Sequence, residues 1–411
     1  MTVPAAIGTL GPHADAVTAL VERARQDIPF YAHHLRDSAG RPLFELPTCT
    51  KADLAGWGPF PLHAGDVRAA ARISATSGTT GPRLFIGYSA ADWARIGTQL
   101  AHRAAAVGLG PGDLLCNTHG YGLWIGGPAL DLMAAVSGAA LLPLGPGNTE
   151  QLLASLSEMP ITAMSATPSF LRFLADRIEH DGLDTSCWSL RLGLIGGEGA
   201  SVRLRRRVID ALGDGFAWQE LYGSTEVGGP VLGWAPPDDL LSGALLLDTA
   251  EFVVELLHPD RDEPVAPGEI GELTITTPWR QLSPLVRYRT RDLTASVEIG
   301  HPSGFPAVRS IVGRVDDALK VRGALVYPGA IEHVVVGHCA PGSEWRIVVE
   351  RDGGALDVLT VVVEHDSPDA DGLADALADA LGVRCAVTSV ASGSLERFEG
   401  KARRVLDHRP D

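Results

Sequence analysis

Thr76-Ser77-Gly78-Thr79-Thr80-Gly81 lies between two runs of β-forming residues within positions 73–88. Its glycines let backbone N–H groups come close to a ligand, and successive N–H groups in such a turn make a concave anion site. The hydroxyls of Thr76, Ser77, Thr79 and Thr80 add donors for phosphate oxygens. The spacing does not fit G-x-x-x-x-G-K-[ST], so this is not a Walker A loop. Alone, the hexapeptide also suits a polar hairpin turn, and its surroundings must decide.

Working outward, residues 90–107 are Ala-rich and helix-like, with a stop at Gly108 and Pro111-Gly112 beyond. Upstream, Ala16, Leu20, Ala24 and Ile28 recur near helical spacing until Pro29-Phe30-Tyr31 interrupts. Downstream, strand-like runs at 139–143, 161–165 and 190–195 alternate with helical runs at 150–156, 169–178 and 202–212. That alternation predicts an α/β protein with largely parallel sheets. After about residue 230 the pattern changes to short strands, 253–257 and 272–275, separated by Pro and Gly turns, which predicts an antiparallel, barrel-like region. From about residue 315 a small α/β domain follows, with helices at 330–336 and 372–381 and strands at 345–350 and 359–364. The polar segment Gly313-Arg314-Val315-Asp316-Asp317 marks the boundary between a domain over 1–313 and one over 314–411.

A formal net charge of −16 excludes a nucleic-acid binder and opposes anionic membrane surfaces, so an anionic substrate needs a local positive site. The five cysteines form no C-x-x-C pair, which argues against a disulfide framework and a Cys-rich zinc site and suits a reducing cytoplasm. The N-terminus has no basic region followed by an apolar one, and runs such as 358–363 are too short to span a bilayer. A cytoplasmic location is expected.

Four further segments carry chemistry. In Tyr222-Gly223-Ser224-Thr225-Glu226 a hydroxyl can donate to a phosphate and a carboxylate can hold a hard Mg²⁺, although the segment alone equally suits a loop with a surface Glu. Gly196-Gly197-Glu198 ends an apolar strand, where a glycine pair admits a ligand, although Gly197 serves a tight turn equally well. Asp292, in Tyr288-Arg289-Thr290-Arg291-Asp292, is a carboxylate that can accept a pair of hydroxyl protons, although by itself the charged alternation suits a solvated strand edge better. Near the C-terminus, Gly400-Lys401-Ala402-Arg403-Arg404 offers an ammonium that could neutralise charge building on a phosphoryl group, although a lysine in a basic tail is by itself more often simply solvated.

Taken in order, these segments resemble the motifs of the adenylate-forming superfamily, which includes acyl-CoA ligases and peptide-synthetase adenylation domains. The resemblance implies a large N-terminal domain of stacked α/β sheets with a small barrel-like subdomain, and a small mobile α+β C-terminal domain. It implies that residues 76–81 bind the phosphates, that Tyr222 flanks adenine, and that Gly223 and Ser224 share the nucleotide site. It further implies that Thr225 touches the α-phosphate, Glu226 ligates Mg²⁺, and Gly197 and Glu198 lie along the adenine. It implies too that Asp292 holds the ribose hydroxyls, that Arg314 reaches ribose or phosphate, that Asp316 is the pivot, that Gly323 belongs to a loop that approaches the site after pivoting, and that Lys401 is catalytic. The family's phosphate loop usually continues Gly-Lys-Pro, whereas this chain reads Gly81-Pro82-Arg83.

Within that superfamily the chain looks like the phenylacetate–coenzyme A ligases. The segments that carry this likeness are Ile28-Pro29-Phe30-Tyr31, residues 46–54, Thr167-Pro168-Ser169-Phe170 and Asn117-Thr118-His119-Gly120-Tyr121-Gly122-Leu123-Trp124-Ile125-Gly126-Gly127. The likeness implies an acid pocket walled by Tyr121, Gly122, Trp124 and Gly196, though Trp124 serves core packing equally well. ATP, Mg²⁺ and coenzyme A follow as co-substrates and cofactor, a small and aromatic carboxylic acid as substrate, and a homodimer as one permitted assembly. Secondary-metabolic relatives use an amine or a carrier-protein thiol instead, or activate an unusual oxyacid. The Pro82-Arg83 replacement leaves a non-catalytic nucleotide-binding homologue as a further alternative.

Overall fold

The computed structural model describes residues 10–76, 83–213, 215–236, 243–317, 319–321, 324–326, 328–339, 343–352, 356–364, 370–381, 383–396 and 404–409. The chain forms two compact units. The first comprises Met1–Ala166, Cys187–Gly197 and Phe216–Ser310; the second comprises Thr167–Ser186, Glu198–Gly215 and Ile311–Asp411.

In the first unit, α1 (Ala14–Asp27) buries Val17, Leu20 and Ala24 on one face. It stops at Ile28 because Pro29 lacks an N–H and starts α2 (Pro29–His34) instead. β1 (Arg72–Ala75) and β2 (Phe85–Tyr88) pair antiparallel, and the sequence between them includes the Gly-rich segment. α3 (Ala90–Ala106) begins with a reciprocal capping box between Ser89 and Asp92. The Asp92 carboxylate also accepts the backbone N–H groups of Gln281 at 2.8 Å and Leu282 at 3.2 Å, which anchors this helix start to a distant loop.

β3 (Leu114–Asn117), β4 (Ala140–Leu142), β5 (Ala163–Ala166), β6 (Leu192–Ile195) and the first half of β7 (Ala217–Ser224) pair in parallel. β5 and β6 are buried along their whole length, as strands covered on both faces must be. α4 (Gly126–Ser137) and α5 (Thr149–Glu158) accompany the parallel strands. β8 (Gly229–Trp234), β9 (Ala244–Leu247), β10 (Val253–Leu257), β11 (Ile270–Thr276), β12 (Tyr288–Val297) and β13 (Ala307–Arg309) supply the antiparallel part. The hydrogen-bonded order is β10-β11-β12-β13-β9-β8-β7-β6-β5-β3-β4, so β7 is the strand where parallel pairing gives way to antiparallel. Periodicity does not single out β3, which is only four residues long, or α4, which opens on Gly126-Gly127-Pro128.

In the second unit, α6 (Pro168–Asp181) is capped by Thr167 and α7 (Val202–Leu212) by Ser201. The chain then passes through β14 (Gly313–Arg314), the hairpin β15 (Leu319–Val321) and β16 (Ala324–Val326), and α8 (Pro328–His338). β17 (Trp345–Asp352), β18 (Leu356–Glu364), β19 (Ala386–Val390) and β20 (Val405–Asp407) form a sheet of order β19-β18-β17-β20, with α9 (Ala370–Leu381) between β18 and β19 in the chain. Trp345, Ile347 and Val349 alternate inward on β17 and meet Leu359, Val361, Val363, Ile331 and Leu377 in one core.

Candidate functional site

β7 continues past the parallel sheet into a tight antiparallel turn with β8, and this turn carries Tyr222, Thr225 and Glu226. A Cβ on Gly223 would lie 1.8 Å from the Gly229 carbonyl oxygen, so only glycine permits this approach. Gly223→Ala is expected to cost about 2–3 kcal/mol through forced backbone displacement, read as a lowered denaturant midpoint. An unchanged midpoint would show that the turn relaxes without cost. Thr225 is buried, and its carbonyl oxygen accepts the Tyr88 hydroxyl from β2. Burial pushes the Tyr88 phenol up, against the opposing pull of Arg280, so it stays a donor. Arg280 lies 5.0 Å from the Tyr88 ring and donates to the Val227 carbonyl oxygen at 2.6 Å, holding the turn from its other side.

β12 faces this turn. The Tyr222 hydroxyl donates to Asp292 Oδ2 at 2.7 Å, and the Tyr288 hydroxyl donates to Glu226 Oε1 at 3.2 Å. The two ends of the Tyr288–Asp292 segment thus meet Glu226 and Tyr222, which flank the β7 turn. The strand achieves this with an irregular register against β11 at Glu272 and Thr274, and with two arginines in the left-handed region, Arg287 at φ 46° and Arg291 at φ 66°. Buried carboxylates hold them there. Arg287 donates to Glu255 at 2.7 and 3.0 Å, and Glu272 Oε1 accepts the Arg291 backbone N–H at 2.9 Å.

Thr76 extends the β1–β2 pair: its N–H donates to the Leu84 carbonyl oxygen at 3.0 Å and its hydroxyl accepts the Leu84 N–H at 3.1 Å. Ser77, Gly78, Thr79, Thr80 and Gly81 lie outside the described residues, and Arg83 is exposed. The preceding residue, Ala75, donates to the Leu123 carbonyl oxygen at 2.7 Å, which sets the pair beside the 121–124 segment.

In that segment Tyr121 donates to Asp131 Oδ1 at 2.7 Å, and the same oxygen accepts Asn117 Nδ2 at 2.8 Å. Gly122 is exposed and Trp124 half-buried. The Trp124 ring meets His119 edge-on at 5.0 Å and covers Gly126, where a Cβ would lie 2.4 Å from the ring. Gly196 donates to the Ala166 carbonyl oxygen at 3.2 Å, and a Cβ there would lie 2.8 Å from the Leu221 carbonyl oxygen. Gly197, at φ 88°, makes the exposed turn that follows.

His119 is 6% exposed, and desolvation lowers its pKa to about 4. The unfolded chain takes up this proton near pH 6.5, before the folded one does. Stability is therefore full above pH 6.5 and is lost as pH falls toward 4, at about 1.4 kcal/mol per unit. Denaturation between pH 7 and 4.5 should show this slope in the wild type and a shallower one in His119→Asn; equal slopes would refute it.

The second unit holds Glu198, Arg314 and Asp316. Glu198 Oε2 accepts the Ser169 N–H at 3.2 Å and the Ser169 hydroxyl. Arg314 Nη2 lies 3.8 Å from Asp316 Oδ2 on the short 3₁₀ turn Val315–Asp317. Gly323 and Lys401 lie outside the described residues. Tyr222, Thr225, Glu226 and Asp292 are therefore brought together in the first unit, while Thr76 bonds Leu84 at the end of the β1–β2 pair. Tyr88 and Arg280 brace the carbonyls of Thr225 and Val227, Asp131 braces Tyr121, and no spacing in the sequence singles these three out.

Among the described residues, no group of three or more His, Cys, Asp or Glu is arranged to hold a metal. A Mg²⁺ ligated by one carboxylate, phosphate oxygens and water needs no such group, and Glu226, half-exposed at the turn, fits that role. Among the same residues, no helix is long and apolar enough to cross a membrane.

Comparison with known proteins gives matches along most of the chain. Residues 22–282 match the AMP-binding enzyme family and residues 323–409 match the AMP-binding enzyme C-terminal domain. The phenylacetate-coenzyme A ligase of Thermus thermophilus is 32% identical, covering 95% of this chain and 94% of that protein. The phenylacetate-coenzyme A ligase of Escherichia coli K12 is also 32% identical, covering 95% and 92%. Among solved structures, 2-hydroxyisobutyryl-CoA ligase in the postadenylation state with 2-HIB-AMP gives a TM-score of 0.84 at 25% identity, covering 96% of this chain and 88% of that one.

Proposed function

The chain belongs to the AMP-binding enzyme family, and from that premise we propose that it activates a small carboxylic acid with ATP as an acyl-AMP and passes the acyl group to coenzyme A. The observation that carries this reading is the convergence of the β7 turn and β12, with Tyr222 bonded to Asp292 and Tyr288 bonded to Glu226.

In the first step the acid's carboxylate oxygen attacks the α-phosphorus of ATP; the new C–O–P bond forms as the bond to pyrophosphate breaks. Asp292 accepts the ribose hydroxyl protons, with Tyr222 fixing the orientation of its carboxylate and offering its ring to adenine. Thr225 donates to the α-phosphate, and Lys401 neutralises the charge that grows there. Glu226, steadied by Tyr288, would ligate Mg²⁺, which supplies charge neutralisation on the phosphates. The Gly-rich loop, with Arg83 in place of the usual lysine, cradles the departing pyrophosphate. The tail beyond residue 313 then rotates about Asp316, exchanging one wall of the site for another so that the thiol can enter. The thiolate attacks the acyl carbon, and AMP leaves.

Tyr121 and Trp124 offer flat faces that suit an aromatic acid, and their support from Asp131 and His119 keeps those faces fixed. The reaction belongs in the cytoplasm, where ATP and thiols are available. The test is acid-dependent exchange of pyrophosphate into ATP over a panel that includes phenylacetate and 2-hydroxyisobutyrate, followed by mass detection of the product on adding coenzyme A. Exchange with no acid in the panel would defeat the proposal. Exchange without a thioester would reassign the acceptor to an amine or a carrier-protein thiol.

A further inference from the structure

One carboxylate in the second unit joins three segments that are far apart in sequence. Glu344, 0% exposed and immediately ahead of β17, receives Arg172 of α6 on one oxygen and Arg404, immediately ahead of β20, on the other. Arg404 also donates to the Trp345 carbonyl oxygen at 3.0 Å and lies 4.6 Å over the Trp345 ring. Burial would raise the Glu344 carboxyl pKa, but the two guanidinium groups outweigh it and hold the group below its ordinary range.

The ends of this cluster point to chemistry. Ser169, one turn before Arg172 on α6, holds the Glu198 carboxylate, which belongs to the proposed nucleotide turn. Lys401 precedes Arg404 by three residues in the sequence. A run of contacts therefore leads from Glu198 through α6 and Glu344 to the segment that carries the proposed catalytic lysine. The two arginines are not equivalent. Arg404 and Glu344 both lie in the tail that rotates, whereas α6 is joined by chain at both ends to β5 and β6 of the first unit's sheet. Rotation would break the Arg172 bond and spare the Arg404 bond. Glu344 would then keep one partner, which lowers the cost of opening, since a buried carboxylate stripped of every partner is strongly penalised.

We propose that Glu344 is a positioning residue whose pair with Arg172 holds the Lys401 segment in place for acyl-AMP formation and opens for thioester formation. This rests on the acid-activation reading above. The experiment uses full-length Arg172→Gln and follows two half-reactions with phenylacetate as the first probe: acid-dependent pyrophosphate exchange, and thioester formation from added phenylacetyl-AMP and coenzyme A. Exchange should fall about tenfold while thioester formation is unchanged or faster. Arg172→Lys should recover part of the exchange. Glu344→Gln should show the same split; if it fails to fold, Arg172→Gln alone decides. Wild-type exchange in Arg172→Gln, or a parallel fall in both half-reactions, would overturn the proposal. Trypsin digestion of the unliganded chain gives an acid-independent arm: cleavage between residues 314 and 322 should be several-fold faster in Arg172→Gln. Unchanged cleavage overturns the latch even if wild type exchanges, whereas a wild type inert to every acid overturns the activity reading itself.

Discussion

Replacing Lys401 by alanine is expected to lower acid-dependent pyrophosphate exchange by about 10²–10³-fold while leaving the far-ultraviolet circular dichroism unchanged. The expectation follows from the electrostatics of the first step. Charge accumulates on the phosphoryl oxygens as the carboxylate attacks, and a chain with net charge −16 has no general positive field to offset it. On the proposed mechanism a local ammonium supplies much of the stabilisation. In that mechanism the lysine's tail turns away before the thiol enters, so thioester formation from added acyl-AMP should survive the substitution. Exchange within a few-fold of wild type would remove the lysine from the mechanism.

The second large effect is structural. Arg287→Met should destabilise the protein by about 3–5 kcal/mol, because it leaves Glu255 buried without its charged partner. Arg287 and Glu255 are 2% and 4% exposed and share two hydrogen bonds, at 2.7 and 3.0 Å. Burial already raises the Glu255 pKa against the pull of Arg287. Urea denaturation measures the loss, and the double replacement Glu255→Leu with Arg287→Met should recover much of it. A single variant within about 1 kcal/mol of wild type would show that water reaches the pair. Since Arg287 precedes Tyr288, the single variant should also weaken ATP binding through the Tyr288–Glu226 bond.

Much of the architecture was legible in the sequence. α3 lies at Ala90–Ala106 against an expected 90–107, and the interruption at Pro29 separates α1 from α2. β6 and α7 fall where the apolar run and the helical spacing placed them. Those features are local: a proline, a cap or a period is written in consecutive residues. The partners of the site are not local. Tyr88, Arg280 and Asp131 come from a hairpin, a loop and a helix, and each is an ordinary polar residue until the sheet brings it to Thr225, Val227 or Tyr121. The left-handed conformations of Arg287 and Arg291 were equally hidden, because arginine gives no signal for positive φ. The assignment of α6 and α7 to the second unit was also beyond periodicity, which identifies an apolar face without naming what covers it.

That last feature constrains how the protein can be recombined. The second unit is built from three stretches of chain, Thr167–Ser186, Glu198–Gly215 and Ile311–Asp411. A chimera that grafts only a relative's tail after residue 310 would therefore mate a foreign module with native α6 and α7, and Arg172 would face whatever residue replaced Glu344. Successful grafts should be those that carry both internal inserts along with the tail, so the functional unit of exchange is discontinuous in the gene.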